Sequence, residues 1–136
     1  MKYWLMKSEP SAYAWSQLVY EKRTPWNGVR NYLANNHMKV MSLGDEAFFY
    51  HSNEERAIVG IMKVVGLWRL DPDDEKGTFG MVDMAPVKAL DLPVSLVEIK
   101  AHPKLSQMVF VRQSRLSVSP VAADEWRQIV KLGCNP

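Results

Sequence analysis

The 136-residue sequence lacks the features that mark several common classes of protein. It has one cysteine, Cys134, so it can form no internal disulfide and has no cysteine pair for a zinc site. Its seven glycines form neither a GxGxxG nor a GxxxxGK phosphate loop. The segment MKYWLMKSEP has an apolar stretch of only four residues, too short for a signal peptide or a membrane span. We therefore expect a soluble intracellular protein, cytoplasmic or, in a eukaryote, nuclear, with no membrane partner.

Metal-binding and nucleophile motifs are equally scarce. The three histidines, His37, His51 and His102, have no HxH, HExxH or HxxE partner, and no serine lies in an elbow motif. Folding could bring Asp45, His51 and Asp83 together as a metal site, but no motif in the sequence indicates it. We expect no metal, no cofactor and no catalytic residue.

An enzyme is the alternative from a different functional class. A small enzyme acting on a nucleobase or nucleotide would need a proton-transferring pair, and His51 with Glu9 or Asp83 could supply it. Nothing else in the sequence requires catalysis, so we expect a binding protein rather than an enzyme.

Composition and charge are those of an ordinary globular domain. Hydrophobic residues make up 47% and charged residues 24% of the chain, which is enough to bury a core. We expect residues 1–136 to form one domain. The net charge is only +2, so nucleic-acid binding would depend on a local patch rather than on the overall field.

The patterns along the chain predict an α+β domain with a mostly antiparallel, curled sheet or small barrel. Strands are predicted at 2–7, 47–52, 57–70, 78–90 and 108–119, with bulges at Gly60 and Gly66 and a sheet edge near Pro86. Helices are predicted at 11–22, with Ser11 as N-cap, at 29–41, within 93–103, where Ser95 and Glu98 have capping-box spacing, and from Pro120 to Gly133.

The predicted helix 29–41 has an apolar stripe that contains one amide. Val29, Tyr32, Leu33 and Val40 share one face, and Asn36 falls within it. A buried amide without partners costs about 1–3 kcal/mol, so we expect Asn36 to hydrogen-bond a neighbouring backbone.

The loop before this helix and the start of the helix together carry a tryptophan, a guanidinium and an amide within six residues. Trp26 and Asn31 offer a stacking ring and an edge contact, which is the chemistry that reads a single base. The structural interpretations remain open: Trp26 could fill the core, Ser8 could cap a turn, Tyr50 could be half-buried by the strand pleat, and His51 could be an ordinary surface residue.

Six segments, in order, carry a family resemblance. WLMKSEP, WNGVRNYLANN, MSLGDEAFFYHSN, VGIMKVV, MVDM and RLSVSPV closely resemble the EVE domain family, from Trp4 to about Val121. The resemblance implies a PUA-like fold, a small open barrel of mostly antiparallel strands with packed helices. EVE domains are similar to YTH domains, which read methylated adenine in RNA, and some EVE proteins resemble readers of modified cytosine in DNA.

The resemblance also implies a function and a set of site residues. It implies a non-enzymatic module that binds nucleic acid and reads a modified base, most readily a modified cytosine in DNA, flipped into an aromatic pocket. A reader of modified RNA or tRNA is the alternative, and a partner in a larger defence or regulatory system is a third. The implied pocket residues are Ser8, Trp26, Asn31, Tyr50, His51 and Ser52, and the implied phosphate contacts are Lys7, Arg30 and Arg115.

Two departures from the family pattern bear on the pocket. Relatives usually have tryptophan just before the VD strand, where this chain has Phe79, so a ring there is smaller. The loop RLDPDDEKG is shorter and more acidic than in larger relatives. Because its carboxylates would repel a nucleic-acid backbone, we expect this loop to point away from the ligand.

Overall fold

The structure, a computed structural model, describes residues 1–134. Six strands form one open, curled sheet in the order β2-β5-β4-β3-β1-β6. The strands are β1 (Tyr3–Ser8), β2 (Thr24–Pro25), β3 (Glu46–His51), β4 (Ala57–Leu70), β5 (Gly80–Ser95) and β6 (Val118–Val121). The helices are α1 (Trp15–Glu21), α2 (Tyr32–Lys39), α3 (Leu96–Ala101), α4 (Val109–Arg112) and α5 (Ala123–Leu132). No helix in the part of the chain that the structure describes is long and apolar enough to cross a bilayer.

Strand β1 lies inside the sheet and is buried on both faces. It pairs in parallel with β3 and antiparallel with β6, and the other strand pairs are antiparallel. Since side chains alternate along a strand, Trp4 and Met6 enter one core cluster, while Leu5 enters the cluster on the opposite face. Burial on both sides explains why β1 reads as a continuous apolar run rather than an alternating one.

The curl of the sheet comes from irregular pairing between its two long strands. The register of β4 against β5 shifts between Ile58 and Gly60 and again between Val64 and Gly66, so the predicted glycine bulges are confirmed. At Gly60 a Cβ atom would lie 2.6 Å from the indole of Trp15. The glycine therefore lets α1 pack directly on the sheet.

The first helix begins later than the sequence predicted. Ala14 occupies the N-cap position, so the prediction of Ser11 as N-cap is wrong. The backbone amides of Ala12 and Tyr13 both donate to the carbonyl of Glu9, which forms a turn and delays the helix.

The predicted apolar stripe of the second helix is also wrong. Tyr32, Leu33 and Val40 are exposed, as is Asn36. Helix α2 begins only at Tyr32 and buries Ala34, Asn35 and Met38 instead. The predicted role of the buried amide therefore belongs to Asn35, one position earlier: its Oδ1 accepts from the Trp68 indole at 2.9 Å and from the Gly80 backbone amide at 3.0 Å.

The C-terminal third agrees with the sequence patterns in part. Ser95 and Glu98 form the predicted capping box of α3, and Gly133 follows the closing helix as its C-cap. The predicted strand 108–119 is wrong, because Val109–Arg112 forms the short helix α4 and β6 begins only at Val118. A short apolar run is compatible with a buried helical turn as well as with a strand. Here the run forms the short helix α4, which buries Phe110.

Candidate nucleic-acid interface

A cavity of about 490 Å³ lies where β1 ends, beside β2 and the last residue of α1. We call it the Trp26 cavity. Two aromatic side chains, two carboxylates and one ammonium contribute to its wall, together with smaller polar groups. Its lining residues are Lys7, Ser8, Glu9, Ala12, Tyr13, Glu21, Thr24, Pro25, Trp26 and Asn27.

Trp26 belongs both to the core and to the cavity wall. Its side chain is only 8% exposed and meets Phe49 edge to face, with the ring centroids 5.5 Å apart. Its backbone amide donates to the carbonyl of Val82 at 2.7 Å, which fixes the segment after β2 against β5. The ring is thus rigidly placed, as a stacking surface requires.

Tyr13 is a wall residue that the sequence analysis placed only in a helix. Its hydroxyl donates to the carboxylate of Glu21, and the Ser8 hydroxyl donates to the Tyr13 carbonyl at 2.6 Å. Burial and the Glu21 carboxylate raise the pKa of Tyr13 to about 12, so the phenol stays protonated at neutral pH. The signal that could have identified it is the turn after Pro10, which places Tyr13 beside the end of β1.

The Trp26 cavity has more negative than positive groups. Glu9 and Glu21 oppose the single ammonium of Lys7 in its lining. A phosphate would be repelled here, whereas a neutral ring with an exocyclic amino group would meet acceptors.

A second cavity, of about 320 Å³, lies on the other side of the β1–β3 pair. We call it the Tyr50 cavity, and it contains two of the predicted pocket residues, Tyr50 and Ser52. Lys7 is paired with Tyr50 in the sheet register and lines both cavities. Its ammonium donates to the Ser114 carbonyl at 2.8 Å, and burial lowers the pKa of Lys7 from its usual value.

His51 is buried and is absent from the lining of both cavities. Its Nε2 accepts from the Trp15 backbone amide at 3.1 Å, and its Nδ1 lies 2.7 Å from the Glu55 carboxylate. Accepting at Nε2 requires the proton on Nδ1, which then donates to Glu55. His51 thereby connects β3 to the beginning of α1.

Asp83, the second residue of the hypothetical catalytic pair, has different partners. Its carboxylate lies 2.8 Å from Arg23 and 3.0 Å from Arg69. Burial would raise the pKa of Asp83, but the two guanidinium groups outweigh burial and lower it. His51 and Asp83 therefore form no proton-transferring pair, and no three His, Cys, Asp or Glu side chains within residues 1–134 could hold a metal ion.

Asn31 and Arg115 lie together, apart from both cavities. They line a third, shallower depression of about 340 Å³ with Arg112. The Asn31 Oδ1 accepts from the Ala34 backbone amide at 2.9 Å, so this oxygen caps α2. Its amide nitrogen remains available as a donor, because no hydrogen bond of that nitrogen occurs within the described chain.

Arg30 is held beside the acidic loop. Its guanidinium pairs with Asp71 at 3.1 Å and lies 5.8 Å from the centroid of the Phe79 ring. The Phe79 ring also packs on Tyr32 at 5.0 Å and is absent from the lining of the Trp26 cavity. The smaller ring at position 79 therefore affects the packing around Arg30 rather than the Trp26 wall.

Comparison with known proteins identifies close relatives. The family model of the EVE domain matches residues 2–132. Thymocyte nuclear protein 1 of Rattus norvegicus is 35% identical, over 96% of this chain and 73% of the relative. The crystal structure of a protein from Agrobacterium tumefaciens is 42% identical with a TM-score of 0.95, covering 100% of this chain and 97% of that one.

Two similar structures contain a nucleic acid. The human THYN1 protein, solved in complex with DNA containing 5-methylcytosine, is 31% identical with a TM-score of 0.91, covering 100% of this chain and 99% of that one. A YTH domain from Zygosaccharomyces rouxii, solved with N6-methyladenosine RNA, is 15% identical with a TM-score of 0.61 over 98% of this chain and 87% of that one, a likeness of fold alone. The expected PUA-like α+β fold is thus confirmed, and the chain belongs to the EVE domain family.

Proposed function

We propose that this protein is a non-enzymatic reader that binds nucleic acid and takes a modified base, a modified cytosine in DNA, into the Trp26 cavity. The observation that carries the proposal is the combination in one cavity of a rigid indole and two carboxylates, at the end of β1, an inner strand of the sheet. A related protein, human THYN1, has been solved with DNA containing 5-methylcytosine, which supports the choice of base.

The wall chemistry fits a cytosine better than a phosphate or an acid. Trp26 would stack on one face of the base, and stacking contributes about 1–3 kcal/mol. A carboxylate of Glu9 or Glu21 would accept from the N4 amino group, which is the usual partner of an acidic side chain on cytosine. Ser8, Thr24 and Asn27 offer further polar groups for the remaining edge.

The energetics explain why a modification would decide binding. Extruding a base from a duplex costs a few kcal/mol, which nearly offsets one stacking contact and two hydrogen bonds. A methyl group buried against the wall adds about 0.8 kcal/mol. The affinity of the domain for unmodified DNA should therefore be low, and a single methyl group should improve it severalfold.

The remaining predicted residues take supporting roles in this proposal. Lys7, Arg30 and Arg115 would contact the strand around the flipped base, with Asn31 beside Arg115 in the shallow depression. His51 would act through α1, which it joins to β3. Tyr50 and Ser52 line the neighbouring cavity rather than the Trp26 cavity.

The test is direct binding of short labelled oligonucleotides, measured by fluorescence anisotropy at low salt. The series carries cytosine, 5-methylcytosine or 5-hydroxymethylcytosine, each in DNA and in RNA. We expect a modified DNA to bind best. Equal affinity for all bases would refute the reader proposal, and a preference for modified RNA over DNA would change its substrate class.

Two tryptophan variants test whether the base binds against Trp26. Trp26→Phe keeps an aromatic ring in the core but shortens the stacking surface, so we expect the preference for the modified base to fall. Trp68→Phe is the matched control, because Trp68 lies outside the lining of the Trp26 cavity. Urea unfolding of both variants separates lost binding from lost folding. An unchanged preference in folded Trp26→Phe would place the base elsewhere.

A further inference from the structure

The Tyr50 cavity differs from the Trp26 cavity in charge. Its described lining residues include the cations Lys7, Arg56 and Lys100 and no carboxylate. The Trp26 cavity, which shares Lys7, contains two carboxylates. Two cavities of opposite charge thus lie on either side of the β1–β3 pair, and an anion would select the Tyr50 cavity.

A nearly buried hydroxyl in this cavity has no hydrogen-bond partner in the part of the chain that the structure describes. Tyr50 is only 3% exposed, and its ring meets Phe110 edge to face with the centroids 5.3 Å apart. Its hydroxyl makes no hydrogen bond within residues 1–134, yet it is accessible in the cavity wall. A buried phenol normally finds a partner, so this hydroxyl is a donor suited to a ligand.

Two of the three cations around the hydroxyl, Lys7 and Arg56, are held by backbone carbonyls, and none of the three forms an ion pair with a described residue. The Arg56 Nε donates to the Asn53 carbonyl at 2.8 Å, which orients the guanidinium and leaves its terminal nitrogens without a carboxylate in the described chain. Lys7 is anchored on the Ser114 carbonyl. Lys100 makes no ion pair with a described residue.

We propose that the Tyr50 cavity binds the phosphate group of a nucleotide, with Lys7, Arg56 and Lys100 balancing its charge and the Tyr50 hydroxyl donating to it. The volume exceeds that of a phosphate alone. The apolar wall formed by Leu96, Phe110 and Val111 provides a surface for the attached sugar. This arrangement favours a phosphate ester over an inorganic anion.

The position of Lys7 indicates where such a phosphate would come from. Because Lys7 lines both cavities, a phosphate in the Tyr50 cavity would be a near neighbour of a base in the Trp26 cavity. A nucleic-acid strand could therefore place one nucleotide on each side of β1. This source of the phosphate rests on the proposed function. A free nucleotide offers the same phosphate ester without that dependence.

The experiment combines variants of the cavity with three probes. The variants are Tyr50→Phe and the double change Arg56→Gln with Lys100→Gln, and Lys88→Gln is the control for loss of a cation on the exposed part of β5. The probes are a modified-cytosine oligonucleotide, the free nucleotide dCMP and the uncharged nucleoside deoxycytidine. Urea unfolding confirms that each variant is folded.

If the phosphate belongs to a strand, the double variant lowers the slope of log affinity against log salt by about 1.4–1.8, because two cations are lost. Its preference for modified over unmodified cytosine stays within about twofold of the wild type, since phosphate contacts carry no base information. Tyr50→Phe weakens binding without changing that slope. Lys88→Gln changes neither quantity.

If the site takes a free nucleotide, dCMP binds the wild type and Trp26→Phe, deoxycytidine does not bind, and the double variant loses dCMP binding. This result supports the phosphate site whether or not an oligonucleotide binds. If no oligonucleotide binds, only the proposed function fails. In the opposite result, the double variant keeps the base preference, the salt slope and the dCMP binding of the wild type. That result overturns the phosphate site and leaves the proposed function intact. Failure of both dCMP and oligonucleotides to bind overturns it as well.

Discussion

The carboxylate of Asp71 accepts a hydrogen bond at 2.9 Å from the backbone amide of Gly28. Gly28 has φ +77, a conformation that favours glycine, and it follows the Trp26 wall by two residues. The same carboxylate oxygen pairs with Arg30 at 3.1 Å. The acidic loop is therefore joined through its first carboxylate to the segment that carries Trp26.

Replacing this carboxylate should loosen the Trp26 segment. Asp71 is only 2% exposed, and Asp71→Ala leaves the Gly28 amide without its acceptor and Arg30 without its counter-ion. We expect the free energy of unfolding to fall by about 3 kcal/mol in urea titrations. Asp73→Ala, in the same loop but exposed, should change it by less than about 0.5 kcal/mol. Equal effects of the two variants would contradict this role.

Acid should destabilise the protein through the same carboxylate. The Gly28 amide, with the Asp73 amide and Arg30, holds the pKa of Asp71 below its usual value of 3.8. The folded state therefore binds fewer protons than the unfolded state, so its stability is full above about pH 5 and falls as pH drops through the folded-state pKa. Urea midpoints measured from pH 6 to pH 2 should decrease, and less steeply in Asp71→Ala. Stability that rose on acidification would refute the assignment.

Much of the fold could be predicted because its signals are local. The long strand with Gly60 and Gly66, the Ser95 capping box and the closing helix depend on near neighbours in the sequence, and all three are present. The face of α2 could not be predicted in this way. Its buried side is set by contacts from Trp68 and Gly80 to Asn35, and periodicity within the helix contains no information about them.

The sequence predicted several residues that line a cavity, but it did not predict that they lie in two different cavities. Ser8 and Trp26 do lie in one cavity, but Tyr50 and Ser52 lie in another, because β1 and β3 separate the two. Successive residues of a strand point to opposite faces, and here Tyr50 lines the Tyr50 cavity whereas the neighbouring His51 is buried and accepts from the Trp15 amide. The resemblance identified the strand, and only the three-dimensional pairing assigns its residues to faces.

The amides of Asn35 and Asn36 offer a matched test of helix packing. Asn35 is buried and serves two donors, whereas its neighbour Asn36 is exposed. Asn35→Ala leaves the Trp68 and Gly80 N–H groups unpaired and should cost about 2–4 kcal/mol in urea unfolding. Asn36→Ala should change stability by less than about 0.5 kcal/mol. The reverse order of effects would show that the helix is rotated from the described packing.

His51 should act on α1 rather than on a ligand. His51→Ala removes the acceptor of the Trp15 amide and should reduce stability by about 1–3 kcal/mol. Hydrogen exchange should quicken most at the α1 amides, for example Lys22, which donates to Leu18. His102→Ala, in the turn after α3, is the control and should leave α1 exchange unchanged. Unaltered exchange in His51→Ala, with lost oligonucleotide binding, would instead support a direct contact.

Strand β1 lies between β3 and β6 in the sheet, so its pairing is complete only after both of those strands have been synthesised. This strand precedes both of its sheet neighbours, β3 and β6, along the chain, and β6 begins only at Val118. An emerging chain thus carries an apolar strand with one edge unpaired until Val118–Val121 has been synthesised, a state prone to capture by other chains. Lys7 and Ser8, at the end of that strand, reach their final positions only then. The binding surface is consequently a late product of translation, and nascent chains should depend on chaperones until residue 121 has left the ribosome.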